Sequence, residues 1–430
     1  LDGATQPGEA LHIERLLEKN RLRMASNVSC AFRDESSVLG IVGAGVMGRG
    51  IAAAALERGI AVLITDADEA TLKRAEDAIL GAIEKDGLTV PGRLKTTEDV
   101  DEISASDVVL EAVVEDEAKK GALLRDLDQR MPPENLLATN TSRIPISRLA
   151  RGLRNPERLC GTHFFLPIPE RPVVEVIFTA DTSPETRAAA IGLAKALGRD
   201  ALPAPDAVGF VVNRLMMPYV SEAMQLLTEG VEPEMIERVA VGFGMPKGPL
   251  SLLDEIGLDV ALDCGWIFAG TYEDRIAVSP LLVTMVKAGR LGCKTGAGFF
   301  RYTTKGDGKI EQDTDPAAAE IVARWAGPET RATAEDVAAR LFLPMVFEGT
   351  RMLEEHDGCL AADIDLGVVL GLGMAPSRGG PLFWCDRIGA RHMLEIAKPL
   401  QSLGPRMETP AALQRMAEMG ESFHVQTDEA

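Results

Sequence analysis

The stretch that decides the fold runs from Leu39 to Asp66 and reads LGIVGAGVMGRGIAAAALERGIAVLITD. An apolar run from Val38 to Val42 breaks into Gly43-x-Gly45-x-x-Gly48, a small-residue helical pattern follows, and a second apolar run ends on Asp66. This is the order of a strand, a glycine turn, a helix and a second strand that cradles a dinucleotide. Gly43 permits the tight turn, Gly45 lets a pyrophosphate approach backbone N–H groups at the helix N-terminus, and Gly48 lets helix and strand pack closely. Asp66 stands 18 residues beyond Gly48, where a carboxylate binds an adenine ribose 2′-hydroxyl. Ala67 follows it, with no adjacent base for a 2′-phosphate, so the cofactor expected is NAD rather than NADP.

Outward from this unit, Ile60–Asp66, Asp107–Val113, Leu136–Ser142, Arg158–Phe165 and Val173–Thr179 read as strands. The helical patterns Glu69–Lys85, Asp116–Arg130 and Ser183–Gly198 lie between most of them. Such alternation predicts an α/β, doubly wound, Rossmann-like sheet over residues 36–203. The last two strands are joined only by the proline-rich Leu166–Pro172, too short for a helical crossover, so that pair should be antiparallel. Residues 1–35 read as a helical lead-in or linker.

Beyond Pro205 the pattern becomes helical and repeats. Arg214–Glu222 resembles Arg340–Glu348, Phe243–Leu250 resembles Leu372–Leu382, and Asp254–Gly257 resembles Asp386–Gly389, at offsets drifting from 126 to 132 residues. The expectation is two tandem all-α repeat domains, 204–303 and 316–430, separated by a polar linker at 304–315.

Composition narrows the function. A net charge of −20 speaks against a nucleic-acid partner, and no apolar run approaches the length of a membrane span. The six cysteines are scattered without a CxxC, which points to free thiols in a reducing, cytoplasmic-type compartment and away from a metal site or disulfide framework. No signal peptide is visible; the chain begins at Leu1 rather than Met, so upstream sequence, targeting included, would lie outside it.

Of five histidines, only His163 ends a strand beyond the glycine motif, at the edge where open α/β sheets bind ligands. If the next strand folds back, Glu175 lies beside the imidazole, fixing its tautomer and stabilising an imidazolium. That is a general base with its orienter, as alcohol oxidation requires; a structural histidine and a surface acid are the alternatives. Asn140-Thr-Ser142 ends another parallel strand, and Ser142 is either a donor to a substrate oxygen or a helix N-cap. Asn213 opens the first helical repeat where the second has Ala339, so the helix itself does not demand an asparagine.

Gly43–Gly48, Glu111-Ala-Val-Val-Glu115, Asn140-Thr-Ser142, His163-Phe-Phe-x-Pro167, Gly209–Arg214 and Leu291–Phe299, in this order, resemble the L-3-hydroxyacyl-CoA dehydrogenase family. The tandem repeat resembles the multifunctional α subunit of fatty acid β-oxidation, whose hydratase domain is absent from this chain; residues 1–35 resemble the linker helix that follows it. The resemblance implies His163 as base and Glu175 as its partner, with Ser142 and Asn213 contacting an acyl-CoA substrate. It implies that Gly43, Gly45, Met47, Gly48, Asp66, Val114, Glu115, Lys120, Asn140 and Ser142 lie along NAD, and that a thiolase subunit is a candidate partner. The implied reaction is oxidation of a (3S)-3-hydroxyacyl-CoA to the 3-oxoacyl-CoA.

Two positions depart from the family. Leu166 stands where asparagine is usual, which puts one polar contact to NAD in doubt. Arg143 stands where a small residue is usual; it reads first as a surface residue, and alternatively as a contact for a carboxylated acyl chain. The other readings are a related dehydrogenase on another 3-hydroxy acid and a non-catalytic NAD- or acyl-CoA-binding subunit.

Overall fold

The computed structural model describes residues 9–25, 31–32, 37–85, 87, 93–305, 309–328 and 332–424. Among these, the chain forms two compact units, one built from 14–211 with 370–372, the other from 9–13, 212–369 and 373–424.

The first unit is built on an eight-stranded sheet. Its strands are β1 (Val38–Val42), β2 (Ala61–Thr65), β3 (Leu94–Thr96), β4 (Val108–Glu111), β5 (Leu136–Thr139), β6 (Leu159–His163), β7 (Val173–Ile177) and β8 (Asp200–Ala204). They lie in the order β3-β2-β1-β4-β5-β6-β7-β8. All neighbours are parallel except β6 and β7, which pair antiparallel, as the short proline-rich connection requires. Apolar side chains alternate between two cores. Leu39, Ile41, Val108 and Leu110 join Ile51, Leu72, Ile79 and Ile191 on one face. Val42, Val109 and Leu137 join Leu124, Leu127 and Leu149 on the other. Both faces are thus covered by helices, which is why the central strands read as unbroken apolar runs. Helix Glu69–Lys85 has the predicted bounds. Asp116 and Ser183, read as first helical residues, instead cap their helices by accepting from the backbone N–H of Lys119 and Thr186.

Two strands of this sheet escaped the sequence pattern. Edge strand β3 is three residues long and only half-buried, and β8 carries Pro203, which lowers any strand reading. The lead-in helix Glu9–Ala25 is present. Within the first unit its Asn20 amide donates to the Ala201 carbonyl at 2.9 Å, and Arg21 forks onto Asp200 at 2.7 and 2.8 Å.

The second unit is mostly helical. Among the described residues of the expected linker at 304–315 is a strand, β10 (Ile310–Thr314), which pairs antiparallel with β9 (Phe300–Thr304). β10 is fully exposed, so neither of its faces carries the apolar alternation that would have announced it. Helices Val212–Thr228 and Ala334–Glu355 pack together, each with an internal proline, Pro218 and Pro344. Their ion pairs are reciprocal. Arg214 meets Glu348 at 2.7 Å, and Arg340 meets Glu222 at 2.5 Å, all four buried. No described helix is long and apolar enough to cross a membrane.

Candidate active site at the carboxyl edge of the sheet

The three glycines of the first turn differ in what demands them. Gly43 has φ +110°, and a Cβ there would lie 2.6 Å from the Ala112 carbonyl. A Cβ on Gly48 would lie 1.8 Å from the Gly43 carbonyl oxygen, so Gly48 serves the turn first, with Ile41 of β1 at 3.4 Å. Nothing stands within 4 Å of a Cβ on Gly45, the N-cap of helix Val46–Glu57, and no side chain caps that helix. The protein therefore leaves open the space where a pyrophosphate meets helix N–H groups. Asp66 follows β2; one carboxylate oxygen accepts from the Ala44 N–H at 2.8 Å and the other from Asp68 at 3.2 Å. It is thereby anchored to the glycine turn it is expected to complement. Met47 in the first helical turn is half-buried and Val114 is exposed, as contacts with a bound molecule require. These residues fit a dinucleotide.

Beyond β4 and β5 lies a polar cluster organised by two glutamates. Glu111 accepts from Lys120 at 2.7 Å, Thr139 at 2.6 Å and the Val113 N–H at 2.7 Å. Glu115 accepts from the Thr141 hydroxyl at 2.7 Å, from Ser142 N–H at 2.8 Å and hydroxyl at 3.1 Å, and from Arg143 N–H at 3.2 Å. Lys120, with no exposed side-chain surface, reaches Glu115 at 3.4 Å. Burial alone would raise the Glu115 carboxyl, but Lys120, the Thr141 hydroxyl and the Ser142 N–H outweigh it and hold it below the usual carboxylate value. Ser142 is not a helix N-cap; Asp206 accepts from the first N–H groups of helix Ile146–Leu149 instead. Arg143 is buried rather than on the surface, and its charge acts on Glu115.

His163 closes β6 directly opposite Glu175 on β7. Its Nδ1 lies 2.6 Å from Glu175 Oε2, and both residues are buried. The other Glu175 oxygen accepts from the Val211 N–H at 2.9 Å. That donor follows Phe210, a non-glycine residue at φ +52°, a strained conformation of the kind kept at functional sites. Phe165 and Phe210 rings lie 4.7 and 5.8 Å from the imidazole, edge-on and tilted. Asn140 Oδ1 accepts from the Phe164 N–H at 3.1 Å, tying the end of β5 to the residue after His163. Leu166 is exposed. Asn213 lies in the first turn of helix Val212–Thr228, two residues beyond Val211. Two contributors escaped the sequence reading: Thr141, the strongest-placed hydroxyl on Glu115, and the Phe210–Val211 turn, whose only sequence signal is Gly209.

Comparison with known proteins agrees with this arrangement. Residues 38–207 match the NAD-binding domain of 3-hydroxyacyl-CoA dehydrogenase, and residues 209–302 match its C-terminal domain. Among solved structures, a 3-hydroxybutyryl-CoA dehydrogenase from Escherichia coli is 27% identical with a TM-score of 0.76, over 89% of this chain and 98% of that one. An (S)-3-hydroxybutyryl-CoA dehydrogenase from Ralstonia eutropha is 35% identical with a TM-score of 0.58, over 62% of this chain and 99% of that one. The dehydrogenase part of a multifunctional enzyme from C. elegans shares the fold at 23% identity and a TM-score of 0.60, over 96% of this chain and 100% of that one. The glycine turn, the following acid and the two matched domains thus lead to one conclusion: the chain belongs to the 3-hydroxyacyl-CoA dehydrogenase family, NAD-dependent oxidoreductases acting on CH–OH groups.

Proposed function

We propose that the chain oxidises (3S)-3-hydroxyacyl-CoA to 3-oxoacyl-CoA in fatty acid β-oxidation, with His163 as general base. The observation that carries this reading is the buried 2.6 Å contact between His163 Nδ1 and Glu175 at the carboxyl edge of the sheet. With Nδ1–H donated to the carboxylate, Nε2 is left as the acceptor for the substrate hydroxyl proton. Glu175 then stabilises the imidazolium that forms, while Val211 and Asn140 hold the pair and its strand in place. A bound NAD would supply the hydride acceptor that oxidation at the carbinol carbon needs. Gly45 and the helix N-terminus would hold its pyrophosphate and Asp66 its adenine ribose.

Ser142 reaches a substrate oxygen by turning its O–H from Glu115, while its backbone N–H keeps that carboxylate in place. Lys120 then acts as a positioning residue, since its ammonium is enclosed by Glu111 and Glu115. Asn213 is assigned to substrate by the family resemblance. Arg143 has an anionic neighbour in Glu115, so its charge does not call for a carboxylated acyl chain. The helical unit is read as two copies of one domain, supported by its reciprocal ion pairs. In that reading the second copy mimics, within one chain, the isologous contact of a dimer.

The test is NADH absorbance with (S)-3-hydroxybutyryl-CoA and longer homologues, comparing the parent chain with His163→Ala. Removal of a general base should lower kcat by about 10²–10⁴-fold with NAD affinity kept. A variant retaining nearly the parent rate would remove His163 from the chemistry.

A further inference from the structure

Three residues far apart in the chain meet within the helical unit. A nitrogen of His12, a carboxylate oxygen of Asp365 and a nitrogen of His424 all lie within 4.8 Å of one another. We propose that His12, Asp365 and His424 form a binding site for a divalent transition-metal ion of the zinc type, which clips the lead-in helix to the segment at 420–424.

The donor set suits such an ion. Two imidazoles and one carboxylate, with a fourth position left to water, is a recurrent three-ligand arrangement for zinc. His424 Nε2 already lies 2.7 Å from Asp365 Oδ2. Ligand atoms around tetrahedral zinc stand roughly 3.3 Å apart, given bonds of about 2.0–2.2 Å. Movements on the order of 1 Å in the two imidazoles, both only partly buried, would bring the three donors to that spacing.

The supports around these donors are also built. Asp365 is buried, and its two oxygens accept from the Leu382 and Phe383 N–H groups at 2.9 and 3.0 Å, which fixes the carboxylate. The His424 backbone N–H donates to Asp386 at 2.8 Å, which fixes the chain at this residue. The His12 ring stacks on Phe383 at 3.7 Å and meets the His424 ring edge-on at 4.9 Å.

A second observation comes from the other half of the same unit. There, Phe299 and Phe300 N–H groups bind Asp254 as Phe423 and His424 bind Asp386. Leu250 and Ser251 N–H groups bind Glu237 as Leu382 and Phe383 bind Asp365. Where the second half has His424, the first has a buried Phe300, and the local carboxylate is satisfied by the Ser251 hydroxyl. The framework therefore folds without an imidazole at this place. On binding, the metal displaces the proton shared by His424 and Asp365, and that proton leaves to solvent.

The experiment uses the whole chain after treatment with a chelator. Co²⁺ is titrated while visible d–d absorption is recorded, then displaced by Zn²⁺, and zinc affinity is measured by calorimetry. Thermal melts with and without zinc accompany each variant. We expect one equivalent, a tetrahedral cobalt spectrum and a zinc-dependent rise in Tm. Each of His12→Gln and His424→Phe should weaken binding by about 100-fold and abolish that rise. His12→Gln keeps a helix-compatible side chain and should melt like the metal-free parent; His424→Phe also removes a partner of buried Asp365 and should melt lower without metal, so its zinc response is read against its own metal-free melt. Absence of saturable zinc binding overturns the site. So does binding that persists undiminished in both variants, which would place the metal on thiols or on His163. The outcome is independent of whether His163 acts as base.

Discussion

At the scale of single residues, the site depends on carboxylates that are held rather than exposed. Glu115 was legible as the end of a Glu-x-x-x-Glu motif, but its four donors come from the loop after β5, more than twenty residues away. Burial raises its pKa, but Lys120 and those donors outweigh that effect and hold the pKa below the usual value. A depressed folded-state pKa means that the unfolded chain binds the proton more readily. Its stabilisation is therefore present above the unfolded glutamate value of about 4.3 and is lost as pH falls below it. Glu115→Ala, which strands several donors, should cost about 2 kcal/mol at neutral pH. Chemical denaturation across pH should show the gap from the parent chain constant near pH 7 and narrowing below about pH 4.5. A gap that stayed constant into acid would separate Glu115 from this network. Glu175 could be named from the sequence only on the condition that β7 folds back; the Val211 N–H on its second oxygen belongs to a turn no periodicity announces.

At the scale of elements, the two glycines at the start of helix Val46–Glu57 stand in different surroundings. A Cβ on Gly48 would collide with the Gly43 carbonyl, whereas one on Gly45 would meet no protein atom within 4 Å, in a backbone region open to alanine. Gly48→Ala should destabilise the first unit by about 1–3 kcal/mol, because the turn must open. Gly45→Ala should leave stability within about 0.5 kcal/mol and still raise the Kd for NAD at least tenfold, because the added methyl occupies the phosphate's approach. Melting curves with NAD titration by fluorescence separate the two; equal losses of stability would refute the distinction. β1 keeps its predicted bounds, and the other five predicted strands came out two or three residues shorter than their sequence runs. β3 and β8 were missed because one is a short edge and the other contains proline.

At the scale of the molecule, the helical unit carries its own two-fold logic. Arg214 to Glu348 and Arg340 to Glu222 are the same contact made in both directions, and Arg406 joins Glu222 at 2.6 Å. Breaking a buried pair leaves an uncompensated charge. Arg340→Met should therefore cost about 3–5 kcal/mol, and the double change Arg340→Met with Glu222→Leu should recover a large part of it. Denaturant unfolding of the set measures this, with Arg214→Met expected to fall in the same range. A double change no better than the single one would mean that Arg406 or packing, and not the pair, carries the effect.

The order of motifs from Gly43 to Phe299, the expectation of NAD and the antiparallel β6–β7 pair were determined by the sequence alone. Each follows from local chemistry: glycine at a forced turn, an acid at a set distance, a connection too short to cross over. The tertiary structure alone decided which groups surround Glu115, the pairing of β9 with β10, the burial of Arg143 and the meeting of His12, Asp365 and His424. These depend on contacts between residues distant in the chain, and no local propensity encodes which distant partner a polar side chain will meet once burial has withdrawn it from water.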